Sequence, residues 1–183
     1  MKESAVTYGN SAYCREIGVE ANPQWVNALV ERTTASWEMM EPVETPTLAF
    51  FGGYQGSGKT SVSRCLSKLI PTRLIALDEI RQILHDRQAP FSEQFIHSVY
   101  LARNVLMEQA MSLGTHVVVD QNTPDVRLAL YQEMAQKHGY RTIGAYLATP
   151  VHVLETRVRE RDPIAGYSTG TVEDLHATIA EKL

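Results

Sequence analysis

The chain has 183 residues, of which 44% are hydrophobic and 21% are charged, an ordinary composition for one compact globular domain with a hydrophobic core. A formal net charge of −4 provides no basic face over the whole molecule, which argues against extended binding to duplex nucleic acid. Two cysteines, Cys14 and Cys65, are too few for a disulfide framework, and no apolar segment is long enough for a secretory signal or a membrane span. We therefore expect a protein of the reducing cytoplasm, with Cys65 buried as a thiol inside a helix.

The first element along the chain is a predicted helix that begins at Asn22 and Pro23, an N-cap residue followed by a proline at the first helical position. Apolar side chains then recur at helical spacing as far as Met40. The segment EPVETP breaks this pattern with its two prolines. We therefore divide the chain into an N-terminal helical extension and linker, residues 1–46, and a main domain, residues 47–183.

Short β-rich runs alternate with longer helical patterns along the main domain. The β-rich runs are residues 47–52, 73–77, 115–120 and 141–147. Alternation of this kind is typical of βαβ units and predicts an α/β fold with a parallel sheet. Ligands of such sheets bind beyond the carboxyl ends of the strands, so the residues that follow each strand are the candidates for a site.

The glycine-rich segment FFGGYQGSGKT joins the first strand to a helix and matches the P-loop pattern G-x-x-x-x-G-K-[ST]. Glycines let successive backbone N–H groups turn around phosphate oxygens, and the helix N-terminus adds its partial positive charge. Lys59 would reach the β- and γ-phosphates, and Thr60 would ligate Mg²⁺. A glycine-rich turn with an unrelated lysine is the alternative, which the flanking strand and helix disfavour. The predicted phosphate cradle consists of Gly53, Tyr54, Gln55, Gly56, Ser57, Gly58, Lys59, Thr60 and Ser61.

A P-loop by itself leaves ATPase, GTPase and kinase activities open. The sequence has no N-K-x-D or T-K-x-D segment that would select guanine, so a Ras-like GTPase is disfavoured. We expect ATP and Mg²⁺ as the cofactors. The choice between the remaining activities depends on residues on the side of the phosphoryl acceptor.

The segment IALDEIR places Asp78 at the end of the second strand and Arg81 one helical turn further on. A carboxylate there can orient or deprotonate an acceptor hydroxyl, and an arginine can bind an anionic part of the acceptor. The alternative makes Asp78 a helix N-cap and Arg81 a solvated residue. We predict the catalytic roles, because capping does not exclude catalysis.

The segment THVVVDQNTPD brings Asp120 to the end of the third strand. That position suits a carboxylate that holds Mg²⁺ directly or through water. An aspartate that only begins a loop is the alternative. Asn122 and Gln121 are candidate contacts to the acceptor.

The segment ETRVRERD carries Arg157 and Arg161 four residues apart on one helix face. Arginines on a lid can cover the transferring phosphoryl group and neutralise its charge. In the alternative reading the arginines form a solvated face and pair with Glu155 and Glu160. We predict that at least one of the two acts on phosphate.

Taken together, these motifs resemble the P-loop kinases grouped around zeta toxins, polynucleotide 5'-kinases and chloramphenicol phosphotransferase. The resemblance runs from about Thr47 onward and includes GGYQGSGKT, DEIR, VVVDQN and the passage YLATP to RVRERD. It implies a nucleotide kinase-like three-layer sandwich with a small arginine-bearing lid. By resemblance, Asp78 is the general base or orients the acceptor, Arg81 binds acceptor phosphate, and Arg157 and Arg161 contact the phosphates of ATP.

The expected function is transfer of the γ-phosphoryl group of ATP to an acceptor hydroxyl, as in zeta toxins. A nucleotide sugar, a polynucleotide 5' end and a small molecule are the candidate acceptors, and the acidic net charge favours a small one. The alternative is a nucleotide-binding switch or regulatory ATPase without an acceptor. The family adds a strand and a helix after the lid whereas this chain stops at HATIAEKL, so we expect a minimal or truncated kinase domain.

The helix near the N-terminus carries Trp25 and Trp37, which can pack on the kinase core or form a surface for a protein partner such as an antitoxin. We favour packing, because large aromatic side chains at helical spacing are more often buried.

Overall fold

The computed structural model describes residues 19–122, 125–160 and 170–180. Its helices and strands follow the predicted alternation, with at least one helix between each pair of consecutive strands. The helices are α1 (Pro23–Thr34), α2 (Lys59–Leu69), α3 (Leu77–Asp86), α4 (Glu93–Ser112), α5 (Asp125–Lys137), α6 (Val151–Arg159) and α7 (Val172–Ala180). The strands are β1 (Thr47–Gly52), β2 (Thr72–Ala76), β3 (His116–Asn122) and β4 (Arg141–Tyr146). Among the described residues, no helix combines the length and the apolar character needed to cross a membrane.

The chain divides into two compact units. The first contains residues 19–39 and 77–110, and the second contains residues 40–76 together with the described part of residues 111–183. The boundary at residue 46 that we inferred between an extension and a main domain stays a prediction.

The second unit is built on a four-stranded parallel sheet with the strand order β2-β3-β1-β4. Alternate residues of a strand point to opposite faces. On one face Ala49, Phe51 and Val118 form a buried cluster with Leu66 of α2. On the other face the ring of Phe50 lies 5.7 Å from the ring of Tyr131 in α5. Helices therefore cover both faces, and the predicted α/β fold with a parallel sheet is confirmed.

The pairing of β1 with β3 contains an irregularity at its carboxyl end. Phe50 pairs with Val119, but the next residue of β1, Phe51, pairs with Asn122. β3 therefore advances by three residues where β1 advances by one, which is a β-bulge. On its other side β3 keeps its register, because Asp120 still pairs with Ala76 of β2.

Helix α2 is packed differently from the pattern that its sequence suggests. The apolar positions predict that Cys65 lies on or near the buried side, but Cys65 is exposed and Leu69 is 74% exposed. The fully buried residue is Ser63, and Leu66 is partly buried. A small side chain at the contact lets the helix approach β2 and β3 closely, which turns the larger apolar residues outward.

The first unit includes α1, which begins as predicted at Asn22. The Asn22 side chain accepts hydrogen bonds from the backbone N–H groups of Gln24 and Trp25 at 3.0 and 3.3 Å, and Pro23 follows at the first helical position. The Trp25 ring contacts Phe95 of α4 edge to face, with 6.5 Å between the centroids. Trp37 lies beyond the end of the helix at Thr34, so the two tryptophans do not share one helical face.

Candidate active site

The loop between β1 and α2 has a backbone that requires glycine. Gly53, Gly56 and Gly58 have φ angles of 142°, 80° and 98°, in the region that glycine adopts at little cost. A Cβ atom on Gly53 would lie 2.6 Å from Ser57 Oγ and 3.0 Å from the carbonyl oxygen of Leu147. The loop ends at Gly58, the N-cap residue of α2. Its backbone N–H groups and the helix N-terminus form a cradle of the kind that binds phosphate, so the chain fits a nucleotide here.

Lys59 lies over this loop. Its Nζ donates hydrogen bonds to the carbonyl oxygens of Gly53 and Tyr54, each at 2.9 Å, and lies 3.4 Å from Ser57 Oγ. The ammonium group is thereby held next to the cradle that would take the phosphates. A cation there attracts the terminal phosphates of a nucleotide.

Thr60 and Asp120 meet at the carboxyl ends of β1 and β3. Thr60 Oγ1 donates to Asp120 Oδ1 at 3.3 Å, and Asp120 is only 8% exposed. Hydroxyl and carboxylate oxygens are the ligands that Mg²⁺ prefers, and Mg²⁺ usually takes one or two protein groups while keeping several waters. The pair therefore fits Mg²⁺.

Arg157 of α6 reaches the P-loop. Its Nη1 donates to the carbonyl oxygen of Gly56 at 2.9 Å and would lie 3.8 Å from a Cβ atom on Gly58. Arg159 instead lies 3.8 Å from Glu155 on the same helix. Arg161, the other predicted lid arginine, lies outside the described residues. Of the two predicted arginines, Arg157 is therefore the one whose contact with the phosphate cradle is described.

Asp78 and Arg81 lie in the first unit, on α3. β2 ends at Ala76 and α3 begins at Leu77, so Asp78 occupies the first turn of the helix, where the helix dipole favours a carboxylate. Arg81 Nη1 donates to Asp78 Oδ1 at 2.9 Å, and their side chains are 25% and 48% exposed respectively. The two side chains therefore contact each other, and their roles toward an acceptor stay predictions. Asn122 ends β3, and its side chain lies outside the description.

The comparison with known proteins identifies the family. A family model described as an AAA domain (AAA_33) matches residues 48–181. The chain belongs to this family. The resemblance that the sequence motifs carry is thereby supported at the level of the family and the fold. No curated protein matches the sequence.

Several solved structures share the fold of this AAA domain. A chain of the PezAT chromosomal toxin-antitoxin system of Streptococcus pneumoniae superposes with a TM-score of 0.62 at 19% identity over 75% of this chain and 62% of that one. A candidate kinase from Chloroflexus aurantiacus gives 0.56 at 20% identity over 64% and 66%. The Pnkp1/Rnl/Hen1 RNA repair complex gives 0.50 at 18% identity over 80% and 48%. The AAA domain thus spans less than two thirds of the length of these chains, and the likeness concerns the fold.

Sequence reasoning did not predict the aromatic contacts beside the P-loop of this AAA domain. Tyr54 packs beside Leu154, Val158 and Leu175, the apolar contact between α6 and α7, and its ring lies edge to face with Tyr146 at 6.5 Å. Burial and then the neighbouring Tyr54 raise the pKa of Tyr146. The aromatic residue inside an otherwise small and polar loop was the available signal, because a ring there needs a packing surface.

Gln121 was also misjudged, since we named it as a contact to the acceptor. Its side chain is 6% exposed, and its Nε2 donates to the hydroxyl of Tyr131 in α5. Strand alternation gives the signal in retrospect. Asp120 shares the α2 face with Val118, so Gln121 has to point to the α5 face.

Proposed function

We propose that this AAA domain is an ATP-dependent phosphotransferase that moves the γ-phosphoryl group of ATP to an acceptor hydroxyl. One observation carries the proposal. The glycine cradle, the Lys59 ammonium group, the Thr60–Asp120 pair and the Arg157 guanidinium group gather at one place, the carboxyl ends of β1 and β3. This is the set of groups that phosphoryl transfer needs on the side of the nucleotide.

On the nucleotide side, the N–H groups of the loop and Lys59 would bind the phosphates of ATP. Thr60 and Asp120 would hold Mg²⁺, which neutralises charge on the β- and γ-phosphates when it is bound. Arg157 would neutralise the charge that develops on the transferring group, and we extend the same role to Arg161. These groups stabilise the transition state by preorganised charge.

On the acceptor side, Asp78 would orient the acceptor hydroxyl or accept its proton while the hydroxyl oxygen bonds to phosphorus and the bond to ADP breaks. Arg81 would bind an anionic part of the acceptor, and Asn122 would contribute a polar contact. The ion pair between Asp78 and Arg81 supports this assignment, because it orients the carboxylate. A nucleotide sugar, a polynucleotide 5' end and a small hydroxyl compound are the acceptors to test.

The fold that this chain shares with the PezAT toxin-antitoxin system supports a zeta toxin-like role and an antitoxin as the protein partner. Expression in bacteria tests this role. We expect the wild type to arrest growth and Lys59→Ala to be harmless. Growth arrest of equal strength by both proteins would contradict a toxic kinase activity.

The activity is tested with γ-labelled ATP, Mg²⁺ and a mixed pool of the three acceptor classes. We expect label in one acceptor, with loss of that signal in Lys59→Ala and Asp78→Asn. Lys68→Ala changes an exposed lysine on the same helix as Lys59, and Asp86→Asn changes an exposed aspartate on the same helix as Asp78. Both control variants should transfer label like the wild type.

The distribution of label decides between a kinase and a switch ATPase. Label found only in free phosphate, lost in Lys59→Ala but kept in Asp78→Asn, would overturn the acceptor-base role of Asp78. The result would favour an ATPase that acts without an acceptor.

A further inference from the structure

The β-bulge in the sheet lies at the residue proposed to hold Mg²⁺. Phe50 and Phe51 of β1 pair with Val119 and Asn122, so the ladder to β1 skips Asp120 and Gln121. In regular sheet the ladder would fix these two residues from both neighbouring strands. Here the position of this short segment depends more heavily on its side chains.

The two side chains of the bulge are held on opposite faces of the sheet. Asp120 accepts a hydrogen bond from Thr60 at the start of α2, and Gln121 donates one to the Tyr131 hydroxyl of α5. Asp120 is 8% exposed and Gln121 is 6% exposed. Because the residues are consecutive and joined by a planar peptide group, a displacement of this segment would move both side chains.

Tyr131 is itself firmly held. It is completely buried, and its ring packs 5.7 Å from that of Phe50 in β1. The Phe50 ring in turn lies against Gly144 of β4, where an added Cβ atom would come within 2.7 Å of it. The Tyr131 hydroxyl is thus presented to the bulge from a packed aromatic contact that a phenylalanine ring would also fill.

We propose that Tyr131 is a positioning residue for the Mg²⁺ site, which acts through Gln121 to fix the segment that directs Asp120 toward Thr60. The proposal rests on the proposed function, since it assumes that Asp120 and Thr60 hold Mg²⁺. Groups that orient the ligands of a metal typically change metal affinity or activity by 10- to 100-fold when they are mutated. A tyrosine that served only the core would affect folding stability and leave the Mg²⁺ requirement of the folded protein unchanged.

The test uses Tyr131→Phe, which removes the hydroxyl and keeps the ring. Binding of a fluorescent ATP analogue is titrated with Mg²⁺ at a temperature where all variants are folded. In Tyr131→Phe we expect the Mg²⁺ concentration that gives the half-maximal increase in analogue binding to rise by on the order of 10-fold. Binding of the analogue in EDTA should stay the same. Amide hydrogen exchange of the metal-free protein should be faster at Asp120 and Gln121 than in the wild type.

A second variant and a matched control separate positioning from stability. Gln121→Met removes the other half of the hydrogen bond, and the double variant with Tyr131→Phe should show no larger effect than either single change. Tyr140→Phe removes another buried tyrosine hydroxyl, one bonded to the carbonyl oxygens of Thr115 and Met111. It should lower the melting temperature without changing the Mg²⁺ requirement.

The outcomes distinguish this proposal from the proposed function. A wild type that responds to Mg²⁺ together with a Tyr131→Phe variant that responds identically would overturn the role of Tyr131 alone. A wild type that binds the analogue equally in Mg²⁺ and in EDTA would overturn the metal role of Asp120, and the role of Tyr131 with it. Failure of the protein to transfer a phosphoryl group to any acceptor would contradict the proposed function. It would leave both conclusions from the Mg²⁺ titration unchanged.

Discussion

The two ends of the parallel sheet in the second unit are both lined with buried polar groups, yet they are organised differently. At the carboxyl ends the polar groups surround a glycine loop whose backbone conformation excludes a Cβ atom at Gly53. At the amino ends Thr72, Arg73 and Thr115 are 5%, 5% and 1% exposed, and the Tyr140 hydroxyl donates to the Thr115 carbonyl oxygen at 2.6 Å. One end leaves a cradle for an anion, whereas at the other the Tyr140 hydroxyl is held by a hydrogen bond within the protein.

This difference shows that buried polar residues do not by themselves mark a functional site. Burial lowers the pKa of Arg73, and burial raises the pKa of Tyr140 to about 12, although neither residue belongs to the candidate nucleotide site. What distinguishes the carboxyl end is a glycine loop at a helix N-terminus together with a cation and a carboxylate. Changes at the carboxyl end should therefore impair ligand binding, and changes at the amino end should alter stability.

The largest effect is expected from Gly53→Ala. The new Cβ atom would clash with Ser57 Oγ and the Leu147 carbonyl oxygen, so the cradle has to open. We expect phosphoryl transfer to fall by on the order of 100-fold or more, the typical cost of losing preorganised donors at such a site. The assay of labelled transfer measures it directly.

Gly139→Ala is the matched control. Gly139 also has a positive φ, 72°, but an added Cβ would meet nothing within 4 Å. The substitution should cost about 1 kcal/mol of stability from backbone strain and leave transfer unchanged. Equal loss of transfer in the two variants would mean that strain in general, rather than the cradle, limits the activity.

A smaller effect is expected from Arg157→Ala, which removes the guanidinium group bonded to Gly56. We expect the rate of transfer to fall by about 10- to 100-fold, because a cation near the transferring phosphate is lost. Arg159→Ala on the same helix removes an exposed arginine near Glu155 and should have little effect. Transfer rates at saturating ATP compare the two, and a larger loss in Arg159→Ala would reverse the assignment.

At the amino ends, Thr72→Val should stabilise the protein. The Thr72 hydroxyl is buried and makes no hydrogen bond within the described residues, and an unsatisfied buried hydroxyl costs about 1–3 kcal/mol. We expect valine, which has nearly the same shape, to raise the free energy of unfolding by about 1 kcal/mol. Urea unfolding measures this, and nucleotide affinity should not change. A destabilised variant would mean that the hydroxyl has a partner in solution.

The sequence was most informative where structure is set locally. The P-loop is recognisable because Gly53, Gly56 and Gly58 stand where the backbone needs positive φ angles. The strands were predicted to within about two residues because their apolar runs lie between glycines and prolines. The N-cap of α1 at Asn22 is equally local. Each of these features depends on residues that are close in sequence.

The sequence was least informative where structure depends on pairing between distant segments. We expected β3 to end at residue 120, but it continues to Asn122 through a bulge defined by its register with β1. No periodicity within β3 can reveal that register. The outward turn of Cys65 was missed for a similar reason, since it depends on how closely α2 approaches the sheet.

The smallest effect is expected from Tyr140→Phe, which tests the amino end of the sheet most specifically. Loss of the hydrogen bond to Thr115 should lower the free energy of unfolding by about 1 kcal/mol at pH 8.5. The pKa of Tyr140 is raised from 10.0 to about 12 in the folded protein, so its contribution is fully present below pH 10 and is lost as the pH rises toward 12. The gap in stability between wild type and variant should therefore narrow by on the order of 1 kcal/mol between pH 9 and pH 11.5. Urea unfolding at these two pH values measures the gap, and a gap that stays constant would show that Tyr140 ionises in the folded protein as it does in the unfolded chain. Nucleotide binding at neutral pH should be the same in both proteins, because this hydroxyl lies at the amino end of the sheet and the cradle lies at the carboxyl end.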